Sequence, residues 1–388
     1  MDLIATKLND VTPSLTLSIT EEANRLRAKG VNVCGFGAGE PDRQTPQHVK
    51  DAAIKALVDG ETRYTASSGL PALREAIAEK LVADNGVAYD IPQISVNCGA
   101  KHSCFNAILA TCEGDDEVII PAPYWTSYPE MVRVAGAEPV IVPTKQENGW
   151  KLTPEEFEEA MSPCTKMIIL NSPSNPAGVV YTADELRALG EVAAAEDILI
   201  LSDEIYEKLI YDGQEHVSIA SLSKELYDLT ITVNGFSKAY SMTGWRLGYT
   251  AAPEPIANAI ARIQSHSTSN PTTFAQYGGI AALQGDQGQV NDMREEYEVR
   301  RDYVYGRLSE ISNISTVKPQ GAFYFLVNVG KMGLGSVNLA EKLLSRYEVA
   351  VVPGAAFGCD DTIRISYSTG LDVIKEGLDR FEQFCRSH

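Results

Sequence analysis

Between residues 94 and 251 the sequence alternates short apolar segments with stretches of helical, amphipathic periodicity. Several apolar segments are unbroken, such as MIIL at 167–170 and ILIL at 198–201, which is typical of strands buried on both faces. The alternation predicts an α/β fold with a doubly wound, mostly parallel mixed sheet of seven strands and helices on both faces. The predicted strands are 94–98, 117–121, 139–143, 166–171, 198–202, 230–235 and 246–251.

The C-terminal part has a different pattern, with longer helices and fewer strands. Helices are predicted at 272–283, 290–311, 338–346 and from Leu371 onward, and strand-like segments at 321–329, 349–354 and 362–368. Few strands with helices on one side indicate a smaller α+β domain. We predict an N-terminal segment, 1–45, that packs with this small domain, a large domain at 46–289 and the small domain at 290–388.

The charge balance excludes some classes of partner. Lys and Arg number 33 and Asp and Glu 52, which gives a net charge of −19. Such a surface repels phosphate backbones and anionic lipid, so we expect no nucleic-acid or membrane partner. No apolar run approaches the roughly 18 residues that cross a bilayer, and the start, MDLIATKLNDVTPS, does not resemble a signal peptide.

The cysteines and histidines indicate neither a disulfide framework nor a metal site. The seven cysteines are odd in number, scattered and without a C-x-x-C pair, and the five histidines are also dispersed. Reduced thiols of this kind predict a cytoplasmic protein without a bound metal.

Polar and aromatic residues follow the predicted strands where each strand ends. Ligands of open α/β sheets bind outside the carboxyl ends of the strands, so these residues are candidates for one site. They are Gly99-Ala100-Lys101, Pro123-Tyr124-Trp125, Ser172 to Pro176, Asp203 to Tyr206, Ser237-Lys238 and, at the start of the last strand, Arg246.

Each of these residues also has a purely structural interpretation. Gly99 and Ala100 fit a tight turn between strand and helix, and Trp125 alone is more often a core residue. Asp203 fits a helix cap, and Lys238 fits a solvated loop lysine. Only the combination of small residues, an aromatic face, a carboxylate, a phenol and two kinds of cation favours a catalytic site.

Three longer motifs identify the family that the chain resembles. They are Ser172-Pro-Ser-Asn175-Pro-Ala-Gly178, Ser202-Asp203-Glu-Ile-Tyr206, and Gly235-Phe-Ser237-Lys238 continuing to Arg246-Leu-Gly. With Gly39-Glu40-Pro41-Asp42, Arg63-Tyr64-Thr65 and Arg364-Ile-Ser-Tyr367, they resemble the pyridoxal-phosphate (PLP) aminotransferases of fold type I, class I/II, essentially end to end. Within that family the chain is most similar to the bacterial and plastid-type aspartate and aspartate/prephenate aminotransferases.

The resemblance implies PLP as cofactor and a role for each motif residue. Lys238 matches the lysine that binds the cofactor covalently and moves the substrate proton, Asp203 the carboxylate at the ring nitrogen, and Tyr206 with Asn175 the pair at the ring hydroxyl. Trp125 matches the residue stacked on the ring. The implied phosphate ligands are Gly99, Ala100, Lys101, Ser237, Arg246 and, from the neighbouring subunit of a homodimer with shared sites, Tyr64.

The same resemblance implies how an amino acid and a 2-oxo acid are bound. Arg364 matches the arginine that takes the α-carboxylate, with Gly39, Asn175 and Trp125 beside it. Lys101, near Ser14 and Thr16, matches the reader of a second carboxylate, which favours aspartate or glutamate and extends to prephenate. The expected reaction is ping-pong transamination.

Several alternatives stay open at this point. Aromatic amino acids remain candidate substrates, because Tyr and Phe residues near the N-terminal segment could admit a ring. A C–S lyase or a decarboxylase on the same fold, and a non-enzymatic regulator built on such a domain, are the rival functions.

Overall fold

The structure of the protein is a computed structural model that describes residues 5, 8–9, 11–12 and 15–388, except for the side chains of residues 15–18 and 20. Ser14 and the side chain of Thr16 therefore lie outside the described part. In chain order the elements begin with α1 (Leu15–Ala28), β1 (Cys34–Gly35), α2 (Gln47–Val58), α3 (Pro71–Asn85), β2 (Ile94–Asn97), α4 (Ala100–Thr111), β3 (Glu117–Ala122), α5 (Ser127–Ala135) and β4 (Glu138–Pro143). They continue with α6 (Pro154–Ala160), β5 (Thr165–Asn171), α7 (Ala183–Ala195), β6 (Leu199–Asp203), α8 (Lys224–Leu229), β7 (Thr230–Gly235), β8 (Gly248–Ala251), α9 (Glu254–Ser267) and α10 (Thr273–Gln284). They end with α11 (Gly288–Ser309), β9 (Ser315–Thr316), β10 (Tyr324–Asn328), α12 (Ser336–Tyr347), β11 (Val349–Ala350), β12 (Val352–Pro353), β13 (Thr362–Ser366) and α13 (Leu371–Arg386).

Seven strands form the large sheet in the order β2-β8-β7-β6-β5-β3-β4. Strands β3 to β7 pair in parallel, and β8 pairs antiparallel with β7 and β2. The buried residues of β5 alternate between two cores, with Met167 and Ile169 on one face and Ile168 and Leu170 on the other. This double burial explains the unbroken apolar run, and the predicted mixed, mostly parallel sheet is confirmed.

A second, antiparallel sheet with the order β12-β13-β10-β9 lies in the C-terminal part. Its core also takes in Cys34 and Phe36, and β1 pairs in parallel with β11. The α+β character predicted for this part is what the structure contains. The domain boundaries at residues 45 and 289 stay a prediction.

Two features of the large sheet region differ from expectation. Helices α2, α3 and α9 lie where no helix was predicted, and β8 begins at Gly248 rather than at residue 246. Arg246 instead has a left-handed backbone with φ of 54°, so the chain turns there before the strand starts. Among the helices of the described residues, none has both the length and the apolar character needed to cross a membrane.

Candidate active site

The carboxyl ends of the parallel strands border a cavity of about 700 Å³. It is lined by residues at or after the ends of β5, β6 and β7, by the loop at residues 37–40 and by Tyr324 on β10 and Arg364 on β13. The predicted site residues that line it are Gly39, Ala100, Lys101, Trp125, Asn175, Asp203, Tyr206, Ser237, Lys238, Arg246 and Arg364. The fold therefore brings together residues that are up to 325 positions apart in sequence, from Gly39 to Arg364.

Lys238 lies three residues beyond the end of β7. Its amine donates a hydrogen bond to the carbonyl oxygen of Gly39. Burial lowers the pKa of the amine to about 8, Arg364 acts in the same direction, and Glu40 and Asp203 oppose them. A substantial fraction of the amine is thus neutral near pH 8, which a nucleophile or a base requires.

Asp203 ends β6 with its carboxylate buried. Its Oδ2 accepts hydrogen bonds from the Tyr128 hydroxyl at 2.7 Å and the Cys104 thiol at 3.8 Å, and its Oδ1 accepts one from the Ile205 N–H at 3.2 Å. Burial raises the pKa of Asp203, and these three donors oppose that rise. Because all three donors are neutral, the carboxylate is prepared for a cationic partner.

Arg364 on β13 presents a buried guanidinium to the same cavity. It donates to Asn175 Oδ1 at 2.9 Å and to the carbonyl of Gly37 at 3.0 Å, and it lies 4.4 Å from the ring centre of Tyr324 and 5.2 Å from that of Phe357. Its Nε has no hydrogen-bond partner among the described residues. A buried guanidinium with neutral partners is suited to bind a carboxylate.

Two hydroxyl groups and two amides meet between Asp203 and Arg364. The hydroxyls of Tyr206 and Tyr324 are 2.9 Å apart. Burial raises the pKa of Tyr206, and the neighbouring Tyr324 raises it further. Asn171 accepts from the Asn175 N–H at 2.8 Å and donates to the Asp203 carbonyl at 2.9 Å. Tyr206 therefore stays a protonated phenol, held at a fixed position.

The N-terminus of α4 forms a cradle suited to an anion. Gly99 precedes it with φ of 90°, and a Cβ there would lie 2.5 Å from Arg246 Nη2, so only glycine fits. A Cβ on Gly248 would come within 2.4 Å of the Ala100 nitrogen. The first N–H groups of a helix have no intrahelical acceptor, so those of Ala100 and Lys101, beside the Arg246 guanidinium, are available to an anion.

Trp125 and Lys101 line the cavity next to this cradle. The Lys101 ammonium lies 4.9 Å from the centre of the Trp125 ring. Burial lowers the pKa of Lys101, and repulsion from Arg246 adds to the effect. Ser237 is buried and lines the cavity between Lys238 and the cradle.

Among the described residues, two predicted site residues do not line the cavity. Gly99 is in close contact with the Arg246 guanidinium and is not among the residues that line the cavity. Tyr64 is 87% exposed and lies outside the cavity, and the side chain of Thr16 lies outside the described residues.

The structure also places residues at the site that sequence reasoning assigned no role. They are Gly37, Glu40, Tyr128, Thr243, Tyr324 and Phe357. Thr243 donates to Glu40 Oε2 at 2.8 Å, which ties the loop between Lys238 and Arg246 to the N-terminal loop. Tyr324 carried one usable signal, a hydroxyl within an otherwise apolar strand. Glu40 and Thr243 lie within the motifs that carry the family resemblance, but the motifs gave them no role.

A cavity that joins a lysine of depressed pKa, a buried carboxylate and a buried arginine belongs to an enzyme that acts on anionic substrates. The family model described as aminotransferase class I and II matches residues 31–381. The chain belongs to the class I and II aminotransferase family, and the resemblance seen in its motifs is confirmed.

Curated relatives and solved structures agree with this assignment. Aspartate aminotransferase from Geobacillus stearothermophilus is 49% identical over 98% of each chain, and a probable aspartate/prephenate aminotransferase from Aquifex aeolicus is 47% identical over 98% of each. The crystal structure of the aspartate aminotransferase from Rhizobium meliloti has a TM-score of 0.96 at 40% identity, covering 100% of this chain and 99% of that one. An aromatic aminotransferase from Pyrococcus horikoshii is similar too, with a TM-score of 0.90 at 40% identity over 94% and 99%.

Proposed function

We propose that the chain is a PLP-dependent aminotransferase that moves the amino group of aspartate or glutamate to a 2-oxo acid. The observation that carries the proposal is the convergence of Lys238, Asp203 and Arg364 in one cavity. An amine of depressed pKa, a carboxylate with neutral donors and a guanidinium with neutral partners together suit a cofactor aldehyde, a basic ring nitrogen and a substrate carboxylate.

The donor set fits PLP, which combines a basic ring nitrogen, a ring hydroxyl, an aldehyde and a phosphate. Asp203 is assigned to the ring nitrogen, and Asn175 and Tyr206 to the ring hydroxyl. Trp125 is assigned to the ring face. The phosphate is assigned to Gly99, Ala100, Lys101, Ser237 and Arg246. Glycine at position 99 lets the Arg246 guanidinium approach the N-terminus of α4, and glycine at position 248 leaves room for the Ala100 nitrogen.

When bound, PLP supplies an electron-withdrawing ring that stabilises the charge left when the substrate Cα loses its proton. Lys238 removes that proton and returns it, and its pKa of about 8 suits both directions because base and acid forms are then populated at working pH. Arg364 orients the substrate through its α-carboxylate, with Gly39 and Asn175 beside it.

Aspartate, with glutamate and prephenate as further substrates, is favoured by the cations on the cavity wall and by the names of the relatives. Lys101 is assigned to the second carboxylate, and Thr16 from the N-terminal segment is assigned to support it. The aromatic relative from Pyrococcus horikoshii keeps aromatic amino acids as the second candidate. A C–S lyase on the same fold differs in needing no oxo-acid acceptor.

We also propose a homodimer in which Tyr64 reaches the neighbouring subunit's phosphate site. Its 87% exposure supports this assignment, since a buried or internally bonded phenol could not serve another subunit. A cytoplasmic location is supported by seven cysteines that are all free thiols.

The test is a panel of amino donors against 2-oxoglutarate and oxaloacetate, with and without prephenate as acceptor. We expect aspartate-dependent transfer that requires the oxo acid and added PLP. Lys238→Ala should lower turnover by about 10⁴-fold, because it removes the proton-transferring amine, and Lys166→Ala, an exposed lysine at the opposite end of β5, serves as control. Product release without an oxo acid, or normal turnover of Lys238→Ala, would contradict the proposal.

A further inference from the structure

Tyr128 makes the shortest hydrogen bond to Asp203, although Tyr128 itself is assigned neither to the substrate nor to the cofactor. It lies in the first turn of α5, buried, with its hydroxyl 2.7 Å from Asp203 Oδ2. Its ring stands edge-on to Trp125 at 5.1 Å between centres, and its N–H donates to the Trp125 carbonyl at 3.0 Å. The phenol is therefore fixed at both ends, against Trp125 and against the carboxylate.

The two oxygens of Asp203 have different partners. Oδ2 faces the Tyr128 hydroxyl and the Cys104 thiol, whereas Oδ1 accepts, from the described part of the chain, a single hydrogen bond, from the Ile205 N–H at 3.2 Å. The thiol at 3.8 Å is a weak donor, so Tyr128 supplies most of the stabilisation at Oδ2. Burial and the adjacent Glu204 favour the neutral carboxyl, and the phenol is the largest influence in the opposite direction.

A proton shared between a carboxylate and a ring nitrogen resides on the more basic of the two. A hydrogen bond donated to the carboxylate lowers its basicity and so favours the proton on the nitrogen. We infer that Tyr128 is a positioning residue that keeps Asp203 ionised and oriented, so that the shared proton stays on the cofactor's ring nitrogen. The inference rests on the proposed function, which pairs Asp203 with that nitrogen.

The experiment replaces Tyr128 with Phe and loads the protein with PLP labelled with ¹⁵N in the ring. The ¹⁵N resonance of a pyridine ring differs between its protonated and unprotonated forms, so it reports the proton's position without turnover. In the wild type we expect the protonated resonance, and in Tyr128→Phe a shift toward the unprotonated one with a fall in kcat of roughly 10- to 100-fold. Tyr89→Phe removes another buried hydroxyl, 3.4 Å from Thr232 Oγ1, and should leave the resonance unchanged.

A second substitution keeps the test decisive if Tyr128→Phe folds poorly. Introducing 3-fluorotyrosine at position 128 retains the hydroxyl and makes it a stronger donor, so the wild-type resonance should persist. The inference is overturned if Tyr128→Phe keeps the protonated resonance, or if the fluorotyrosine protein loses it. An unprotonated ring in the wild type, or no binding of PLP, would instead count against the role of Asp203 in the proposed function.

Discussion

Single side chains in the cavity concentrate positive charge in a protein whose net charge is −19. Lys101, Arg246 and Arg364 all line the cavity, with partners that are backbone carbonyls, an amide and aromatic rings. Cations held in this way attract anionic ligands locally, while the rest of the surface repels them. The phosphate and two carboxylates of the proposed ligands require three such positions.

Lys101 has two possible roles: it binds the distal carboxylate of the substrate, or it binds only the cofactor. If it binds the distal carboxylate, Lys101→Ala should lower kcat/KM for aspartate about 10- to 100-fold, the value of a charge-assisted hydrogen bond, and leave kcat/KM for phenylalanine nearly unchanged. Steady-state kinetics with both donors measure this, with the exposed Lys224→Ala as control. Equal losses for both donors would assign Lys101 to cofactor binding.

At the scale of elements, one loop links the two parts of the site. The carbonyls of Gly37 and Gly39 accept hydrogen bonds from Arg364 and Lys238. The end of the loop is anchored on α11, where Asp42 pairs with Arg300 at 2.8 Å and with the Tyr297 hydroxyl at 3.0 Å. These contacts connect the position of α11 to Lys238 and Arg364.

Behind the site, α3 is joined to the segment after β6 by a buried ion pair between Lys80 and Glu207. Burial alone would raise the pKa of Glu207, but Lys80 and His216 lower it to about 2. Lys80→Met leaves the carboxylate buried without its cation and should lower the free energy of unfolding by about 3–5 kcal/mol at neutral pH. Urea unfolding at fixed protein concentration measures the loss.

Lys208→Met is the matched control, because its partner Asp84 lies at 2.8 Å with both side chains about a third exposed. It should cost at most about 1 kcal/mol. Since the folded pKa of Glu207 is depressed, the ion pair stabilises fully above the unfolded pKa of about 4.5 and loses its effect as the pH falls toward 2. A Lys80→Met deficit that does not shrink over this range would contradict the assignment.

Most strands of the large sheet can be predicted from the sequence, whereas some helices and one strand boundary cannot. Unbroken apolar runs such as Ile198 to Leu201 mark the central strands β5 and β6, because burial on both faces leaves no polar alternation there. Helices α3 and α9 were missed although Pro71 and Pro255 lie in their first turns, a signal of helix starts. The start of β8 could not be predicted, because the left-handed turn at Arg246 depends on its packing against Gly99.

Some residues of the site can be predicted from the sequence and others cannot. Residues directly after strands, such as Asp203 and Lys238, could be found from the sequence because the sheet edge collects them. The resemblance marks Tyr128 only as a departure, a tyrosine where the other aspartate-aminotransferase subgroup has a histidine. Its bond to Asp203 could not be predicted, because it depends on a contact between α5 and β6 across 75 positions. Residues of this second kind are determined by packing geometry, which a single sequence does not display.

For the whole molecule, three exposed residues near the start of the large sheet region fit the proposed homodimer. Val58 at the end of α2 is 82% exposed and Tyr64 is 87% exposed, while Ile54 on the same helix is 56% exposed. Apolar side chains grouped in this way are typical of surfaces that another subunit covers. The proposed homodimer would bury them and would carry Tyr64 to the neighbouring cavity.

Mixed dimers test that arrangement. One chain carries Lys238→Ala and the other carries Tyr64→Phe. The two chains are co-expressed, and mixed dimers are purified through two different tags. Each mixed dimer then contains one site with Lys238. If Tyr64 serves the neighbouring subunit, that site receives an intact tyrosine from the Lys238→Ala chain. The lysine-bearing site should then have wild-type affinity for PLP, measured from the dependence of activity on PLP, and the mixed dimer about half the wild-type turnover. The Tyr64→Phe homodimer should bind PLP about tenfold or more weakly, the cost of one hydrogen bond to a charged phosphate. Weakened PLP affinity in the mixed dimer would show that Tyr64 serves its own chain, and a monomeric wild type in sedimentation would remove the interface altogether.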